Sequence, residues 1–217
     1  MNVKEFIEEH KIIAIARRIY GEDLYALSDA LVSGGVRLLE CTFDQADPDY
    51  IDKTTEAISA LCRRHGDDML IGAGTVLTQE QVEAAYHAGA KYIISPNVSE
   101  DVIKQTKKLG MVSMPGAMTP TEILSAHYIG ADLVKLFPAT TLGFKYIKDI
   151  LAPISHVKLV ATGGVNEENL GDYLKLGFSG AGISGRLTDK NLISNGDWGE
   201  ISKRAKVFMD IVRENKA

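Results

Sequence analysis

One lysine in this chain lies in the middle of an apolar run. Lys135 has two apolar residues on each side in the segment 131–139, ADLVKLFPA, a pattern typical of a buried parallel strand. Burial can lower the pKa of a lysine by about 3 to 5 units, because the charged form loses its hydration. A neutral amine attacks carbonyl groups and forms Schiff bases. Lys135 is therefore a candidate for covalent catalysis; a lysine paired with a buried carboxylate, or one extending to solvent from a strand end, is the structural alternative.

Length and composition limit the kinds of protein this chain can be. Its 217 residues are 45% hydrophobic and 24% charged, which predicts one globular domain over residues 1–217. The net charge of −5 and the scattered histidines give no basic stripe, so we expect no nucleic-acid partner. Acidic residues in the first ten positions, and Arg17 and Arg18 after them, fit neither a signal peptide nor a membrane span. Two cysteines, Cys41 and Cys62, favour a reducing compartment, and we expect the cytoplasm.

A connector made of a small or apolar residue followed by glycine recurs between segments of helical and strand periodicity. It occurs at 33–36, 88–91, 109–112, 129–132 and 176–179. Glycine at these places is typical of the residue that ends a helix before the chain enters a strand. The chain is therefore expected to alternate strands and helices.

Eight strands are predicted from the apolar runs. They are Ile12–Arg17, Val36–Thr42, Met69–Gly74, Lys91–Ser95, Met111–Pro115, Leu133–Leu136, Val157–Ala161 and Gly180–Ser184. Eight parallel strands with helices outside predict an α/β fold, the (β/α)8 or TIM barrel, with a short helix over Met1–Glu9 covering its floor. An open doubly wound sheet is the alternative, but the loop 17–22 lacks the G-x-G-x-x-G pattern of a dinucleotide site.

Polar residues collect at the C-terminal ends of the predicted strands, where such barrels carry their chemistry. Alternation along each strand places on the inner face Arg17, Glu40, Thr75, Lys135 and Thr162. On strand three, this parity also turns Ile71 and Ala73 inward. Imine chemistry needs an amine, a carboxylate that moves protons, and a cation or hydroxyls that hold a substrate carboxylate. These residues could supply each group, whereas a purely structural ion pair between Glu40 and Lys135 is the alternative.

Glycine-rich loops follow the last two predicted strands, at 162–166 and 181–185. Such loops let backbone N–H groups approach an anion, so Gly163, Gly164, Ser184 and Gly185 are candidate phosphate-binding residues; ordinary tight turns are the alternative. Pro96, just past strand four, is expected to line the pocket mouth with the substrate-binding residues. The five histidines show no metal-binding spacing, and we expect neither a metal nor a cofactor.

Six segments together resemble the 2-keto-3-deoxy-6-phosphogluconate (KDPG) aldolase family, which includes the 4-hydroxy-2-oxoglutarate aldolases, over nearly the full chain. They are 38–42, 72–76, 94–96, 115–122, 135–139 and 162–165. The resemblance implies a class I aldolase, usually trimeric, which releases pyruvate and an aldehyde from a 2-keto acid. It also implies that Lys135 is the Schiff-base lysine and Glu40 the general acid/base. By the same resemblance Arg17, Thr75 and Thr162 line the site, and Gly163 and Gly164 contribute to a phosphate pocket.

The chain departs from the family pattern at two places. Many members carry Leu-Arg-Thr after the catalytic Glu-x-Thr, and that arginine helps to hold the pyruvate carboxylate, whereas this chain has TFDQ at 42–45. Arg17 or Arg18 is the candidate replacement. The usual Gly-Val-Gly-Ser-Ala-Leu is GISGRL at 182–187, where Arg186 adds a positive charge.

Two other functions are compatible with the same loops. One is a Mg²⁺-dependent transferase barrel of the thiamine-phosphate synthase type, for which Asp44 and Asp47 would be the acidic residues. The other is a non-catalytic barrel that binds a sugar-acid phosphate. Activity in the presence of a chelator distinguishes the aldolase from both.

Overall fold

A computed structural model describes residues 2–215 and contains a sheet of nine parallel strands surrounded by helices. The strands are β1 (Ile12–Ala16), β2 (Leu38–Thr42), β3 (Leu70–Gly74), β4 (Tyr92–Ile94), β5 (Val112–Met114), β6 (Gly116–Ala117), β7 (Val134–Leu136), β8 (Leu159–Thr162) and β9 (Gly180–Ile183). The helices are α1 (Val3–His10), α2 (Gly21–Ser33), α3 (Tyr50–His65), α4 (Gln79–His87), α5 (Glu100–Lys108), α6 (Pro120–Ile129), α7 (Gly143–Leu151), α8 (Leu170–Lys175), α9 (Lys190–Ser194) and α10 (Trp198–Glu214).

The ring of strands closes through the segment that contains β5 and β6. β5 pairs with β4, and β6 pairs with β7, so the order is β5-β4-β3-β2-β1-β9-β8-β7-β6. Pro115, which has no N–H to donate, lies between β5 and β6 and separates them. Its carbonyl still accepts the backbone N–H of Lys135 at 2.9 Å. The predicted (β/α)8 barrel is therefore confirmed, and the additional strand, β6, lies directly after the predicted fifth strand, beyond its expected end at Pro115.

Each predicted strand is present, but most are one or two residues shorter. The second begins at Leu38 instead of Val36, and the seventh runs over Leu159–Thr162 instead of Val157–Ala161. Ladder hydrogen bonds set these ends, whereas the prediction used the apolar run. The predicted helix-ending glycines are confirmed, because φ is positive at Gly35, Gly89, Gly110, Gly130 and Gly177.

The short N-terminal helix covers the floor of the barrel. α1 carries the fully buried Ile7, which packs with Ile13 and Leu38 of the barrel interior. The prediction of a capping helix is confirmed; its first residue, Met1, lies outside the described residues. No helix within residues 2–215 is both long and apolar enough to cross a membrane.

The inner and outer faces of strand β3 are the reverse of those predicted. Ile71 and Ala73 pack in the outer layer against the helices, so the prediction that they face inward is wrong. Gly72 and Gly74 face inward instead: a Cβ at Gly72 would lie 2.1 Å from the ring of Tyr92. Position 72 has to be glycine because the ring of Tyr92 occupies the space next to it.

Candidate active site

Lys135 lies at the centre of β7, with its amine inside the C-terminal half of the barrel. The residue is 9% exposed, and its Nζ lies 4.7 Å from the centroid of the Phe137 ring. Burial lowers the pKa of Lys135, the negative charge of Glu40 opposes that effect, and Arg17 adds to it. The lysine does not extend to solvent. The alternative of a lysine that reaches solvent from a strand end is therefore wrong.

Glu40 lies on β2 and is 2% exposed. Burial raises the pKa of this carboxyl group, and the positive charges of Lys135 and Arg17 partly oppose the shift. Gly74 makes room for it, because a Cβ at that position would lie 2.6 Å from a carboxylate oxygen. The glycine on the neighbouring strand is thus required for the carboxylate to fit inside the barrel.

The two groups influence each other electrostatically without forming a contact pair. No nitrogen to oxygen distance between Lys135 and Glu40 falls within 4.0 Å, and among residues 2–215 neither side chain has a hydrogen-bond partner. A purely structural ion pair is therefore not what the barrel holds. An amine and a carboxyl group, both shifted toward their neutral forms and both unpaired, can act as nucleophile and proton carrier.

Arg17 follows β1 at the mouth of the barrel. It lines a cavity of about 250 Å³, which we call the Arg17 cavity, together with Arg18, Thr42, Phe43, Asp44, Gln45, Ala46 and Thr75. The side chain is exposed and has no ion-pair partner among the described residues. Its charge lowers the pKa of both Glu40 and Lys135. Arg17 is thus an available cation beside the buried pair.

Arg18, in contrast, is already occupied. Its Nε lies 2.6 Å from Oδ2 of Asp44, and its Nη2 donates to Oδ1 of the same carboxylate at 2.9 Å. The hydrogen bond from Arg18 lowers the pKa of Asp44, which stays ionised. Of the two arginines considered as replacements for the missing family arginine, only Arg17 is unpaired.

Thr75 reaches the same cavity by a route the strand pattern does not predict. β3 ends at Gly74, and Thr75 has φ 58°, a left-handed conformation that costs a β-branched residue about 1 to 3 kcal/mol. Its carbonyl accepts a hydrogen bond of 3.0 Å from Nε2 of Gln45, and Gln45 is bonded in turn to the buried Gln81. Neither glutamine belongs to a strand or motif pattern that indicated a functional residue.

Thr162 and Pro96 have different environments. Thr162, at the end of β8, is 6% exposed, and its Oγ1 would lie 2.7 Å from a Cβ at Gly182. Pro96 is half-buried, and its carbonyl oxygen would lie 2.4 Å from a Cβ at Gly116. It therefore packs between the ends of β4 and β6 and does not line the Arg17 cavity.

The four candidate phosphate-binding residues lie together. Gly163, Gly164, Ser184 and Gly185 line a second cavity of about 260 Å³, the glycine cavity, with Val165, Asn166, Gly182 and Arg186. Gly163 and Gly164 have φ of 96° and 80°, and a Cβ at Gly164 would lie 2.2 Å from Oγ1 of Thr140. Only glycine fits this second position, which leaves its backbone accessible from the cavity.

The positive charge of Arg186 at this cavity is balanced by the carboxylate of Glu167. Its Nε and Nη2 donate to both carboxylate oxygens of Glu167, at 2.8 to 3.1 Å. An anion in the glycine cavity would therefore meet backbone N–H groups and a neutralised pair instead of a free guanidinium.

The acidic residues required by a Mg²⁺-dependent transferase are also paired. Asp44 is bound to Arg18, and Asp47 lies 2.6 Å from Nζ of Lys53. Within residues 2–215, no three His, Cys, Asp or Glu side chains are grouped closely enough to hold a metal ion.

A parallel barrel with an unpaired amine and carboxyl group at its C-terminal end defines a class of lysine-centred barrel enzymes. A model described as KDPG and KHG aldolase matches residues 3–204. The chain belongs to the KDPG and KHG aldolase family, as its sequence motifs predicted, and is a carbon–carbon lyase.

Relatives and a solved structure support this assignment. The chain is 32% identical over 210 residues to the 2-dehydro-3-deoxy-phosphogluconate aldolase of Haemophilus influenzae, with 96% of each chain covered. It is 36% identical over 177 residues to the 2-dehydro-3-deoxy-6-phosphogalactonate aldolase of Escherichia coli K12, covering 81% of this chain and 83% of that one. The structure of KDPG aldolase from Legionella pneumophila, with pyruvate captured as a covalent carbinolamine, matches with a TM-score of 0.84 at 27% identity, covering 94% and 97% of the two chains.

Proposed function

We propose that this protein is a class I aldolase which cleaves a 2-keto-3-deoxy (phospho)sugar acid, or 4-hydroxy-2-oxoglutarate, to pyruvate and an aldehyde. The observation that carries the proposal is the pair formed by Lys135 and Glu40, each buried in the barrel and each without a hydrogen-bond partner among residues 2–215. An amine whose pKa is lowered by burial is a nucleophile at a pH where an ordinary lysine is charged.

In the first half of the reaction, Nζ of Lys135 adds to the C2 carbonyl of the keto acid and gives a carbinolamine. Glu40, whose pKa is raised by burial, gives a proton to the departing hydroxyl, and water leaves as the iminium ion forms. The iminium nitrogen can then accept the electron pair released when the C3–C4 bond breaks.

In the second half, the C3–C4 bond breaks and its electron pair moves into the iminium system, which becomes an enamine. The C4 hydroxyl loses its proton to Glu40, and the aldehyde departs. Protonation of the enamine at C3, followed by addition of water to C2, releases pyruvate and restores the amine of Lys135. Protons, water and electrons balance without an external oxidant or reductant.

Substrate binding is divided between the two cavities. Arg17 is proposed to hold the carboxylate of the keto acid, because it is the unpaired cation beside Lys135 and Glu40. Thr75, in the same cavity, is proposed as a further substrate-binding residue, and Thr162 and Pro96 are proposed to contact the substrate from the ends of β8 and β4, outside that cavity.

The far end of the substrate is proposed to enter the glycine cavity. Backbone N–H groups near Gly163, Gly164, Ser184 and Gly185 would bind a phosphate there. With Arg186 engaged by Glu167, this binding depends on the backbone.

A coupled assay tests the proposed reaction. The protein is incubated with KDPG, its galactonate epimer and 4-hydroxy-2-oxoglutarate in excess EDTA, and pyruvate release is followed. Cleavage that persists in EDTA is expected. Activity that appears only after Mg²⁺ is restored would contradict the metal-independent imine route and favour a Mg²⁺-dependent barrel, and no pyruvate release under either condition would favour the non-catalytic barrel.

The assembly and location are also proposed. Residues 1–217 are proposed to form one domain, and the resemblance supports a homotrimer, which light scattering should detect at three times the 23.6 kDa of the chain. A cytoplasmic location is supported by the two free cysteines, one buried and one half-buried.

A further inference from the structure

Two glutamines connect a buried helix position to the wall of the Arg17 cavity. Gln81, near the start of α4, is 0% exposed, and its Nε2 donates to Oε1 of Gln45 at 2.9 Å. Gln45 follows β2, and its own Nε2 donates to the carbonyl of Thr75 at 3.0 Å. This row of hydrogen bonds, Gln81 to Gln45 to Thr75, is called the glutamine relay below.

The direction of the relay is fixed at its buried end. Oε1 of Gln81 accepts the backbone N–H of Leu77 at 2.6 Å, so its amide nitrogen must face the other way. That nitrogen donates to Gln45 and also lies 3.3 Å from the hydroxyl of Tyr50. Gln45 then presents its oxygen to Gln81 and its nitrogen to Thr75. Each amide has one orientation that satisfies its partners.

The relay ends at a residue with a strained backbone. Thr75 has a left-handed φ of 58° and lines the Arg17 cavity with Thr42 and Arg17. A β-branched residue keeps this conformation only where its surroundings impose it. Two restraints are adjacent: the hydrogen bond from Gln45 to the carbonyl of Thr75, and that from the N–H of Val76 to the carbonyl of Ile94 at 3.2 Å.

We propose that Gln45 and Gln81 are positioning residues that hold Thr75 in its left-handed conformation, so that the wall of the Arg17 cavity is formed before the keto acid binds. This inference rests on the proposed function, since it assigns the relay to the pyruvate end of that site. Neither glutamine is hydrogen-bonded to Lys135 or Glu40. Their effect on catalysis passes through Thr75, and a preformed wall reduces the ordering cost of binding.

The relay also gives a role to the altered loop at 42–45. Gln45 stands in the segment that differs from the family pattern, next to Asp44, whose charge Arg18 neutralises. The loop therefore supplies a neutral amide that supports the cavity wall, and Arg17 supplies the cation. Support of the cavity wall and the supply of a cation are thus assigned to two different residues, Gln45 and Arg17.

Three variants test the proposal: Gln45→Met, Gln81→Met and the double variant. Each single change keeps the length of the side chain and removes the donor of the relay. The KM for the keto acid and the half-saturating pyruvate concentration in borohydride trapping are both expected to rise about tenfold. This is the effect of losing one hydrogen bond that holds Thr75 in the conformation that binds the substrate. The double variant should be no worse than the more impaired single variant, because the two residues act through one connection.

Gln79→Met is the matched control. Gln79 is the exposed first residue of α4, two positions from Gln81, and it is expected to leave KM, kcat and thermal stability unchanged. Since Gln45 is exposed, Gln45→Met should fold even where Gln81→Met does not.

The outcomes separate the relay from the proposed function. If the unmodified protein neither cleaves keto acids nor traps pyruvate, the proposed function is wrong, and the relay is then judged by hydrogen exchange: the amides of residues 75–77 should exchange faster in Gln45→Met. If the variants lose only thermal stability at unchanged KM, if their KM effects add, or if exchange at 75–77 is unchanged, the relay is overturned.

Discussion

Arg18 and Asp44 form a two-point ion pair at the mouth of the barrel, with Nε to Oδ2 at 2.6 Å and Nη2 to Oδ1 at 2.9 Å. The pair joins the loop after β1 to the loop after β2 and balances the negative charge of Asp44, which lines the same cavity as Arg17. A carboxylate that approaches Arg17 therefore does not meet an uncompensated aspartate. The ion pair thus removes the repulsion that Asp44 would otherwise exert on the keto acid proposed to bind at Arg17.

Arg18→Gln is expected to raise the KM for the keto acid severalfold, because Asp44 then competes with the substrate carboxylate for Arg17. Steady-state kinetics at low ionic strength measure the effect, since salt screens exposed charges. The matched variant is Arg18→Gln combined with Asp44→Asn, which removes both charges and should restore a KM close to that of the unmodified protein. A double variant as impaired as Arg18→Gln would show that Arg18 itself holds the substrate.

The pH dependence of imine formation should report the environment of Lys135. Burial lowers its pKa below the ordinary 10.5, so the second-order rate of trapping at low pyruvate should rise with pH along a limb that lies below that value. The negative charge of Glu40 raises the pKa of Lys135 and Arg17 lowers it. The limb should therefore move to lower pH in Glu40→Gln and to higher pH in Arg17→Met. Shifts in the same direction would contradict the electrostatic assignment.

The barrel should become more stable when its reactive pair is removed. Desolvation disfavours both charged forms, so replacing the pair by neutral groups of similar size, in Lys135→Met combined with Glu40→Gln, is expected to raise the free energy of unfolding by about 1 to 4 kcal/mol. Urea denaturation at neutral pH measures it. The same substitutions at the exposed pair Lys104 and Glu100 serve as the control and should change little. A clear loss of stability in the buried variant would mean that the pair supports the fold.

Gly185→Ala tests whether phosphate enters the glycine cavity. A Cβ at Gly185 has no atom within 4 Å and no left-handed φ to oppose it, so the variant should fold normally, and its methyl group should obstruct a phosphate bound against this loop. The KM for a phosphorylated substrate is expected to rise about tenfold, with no change for 4-hydroxy-2-oxoglutarate. Gly199→Ala, on α10 with its nearest neighbour at 4.0 Å, is the control. An unchanged KM for the phosphorylated substrate would place phosphate elsewhere.

The inward placement of Glu40 and Lys135 could be predicted because each lies within a continuous strand, where side chains alternate strictly. The same rule failed at β3. Its apolar residues Ile71 and Ala73 form the outer layer, and the glycines at 72 and 74 face inward to accommodate Tyr92 and Glu40. Glycine carries no hydropathy signal, so the pattern alone could not show which face of this strand was inside.

The contacts between loops were harder to predict than the strands. Arg18 and Asp44 are 26 positions apart in the chain, and Gln45 and Gln81 are 36 apart. The parallel pairing of β2 with β1 and with β3 brings these loops together. Gln81 did carry a weak signal, because Thr78 followed three residues later by glutamine is a capping-box pattern. Its side chain instead bonds to Leu77 and to the relay.

Borohydride reduction in the presence of pyruvate tests the central claim most directly, with the modified residue located by peptide mass spectrometry. The account predicts one covalent pyruvate adduct per chain, on Lys135, which disappears in Lys135→Met. An unmodified protein, or an adduct on an exposed lysine such as Lys145, whose side chain is 89% exposed, would contradict it.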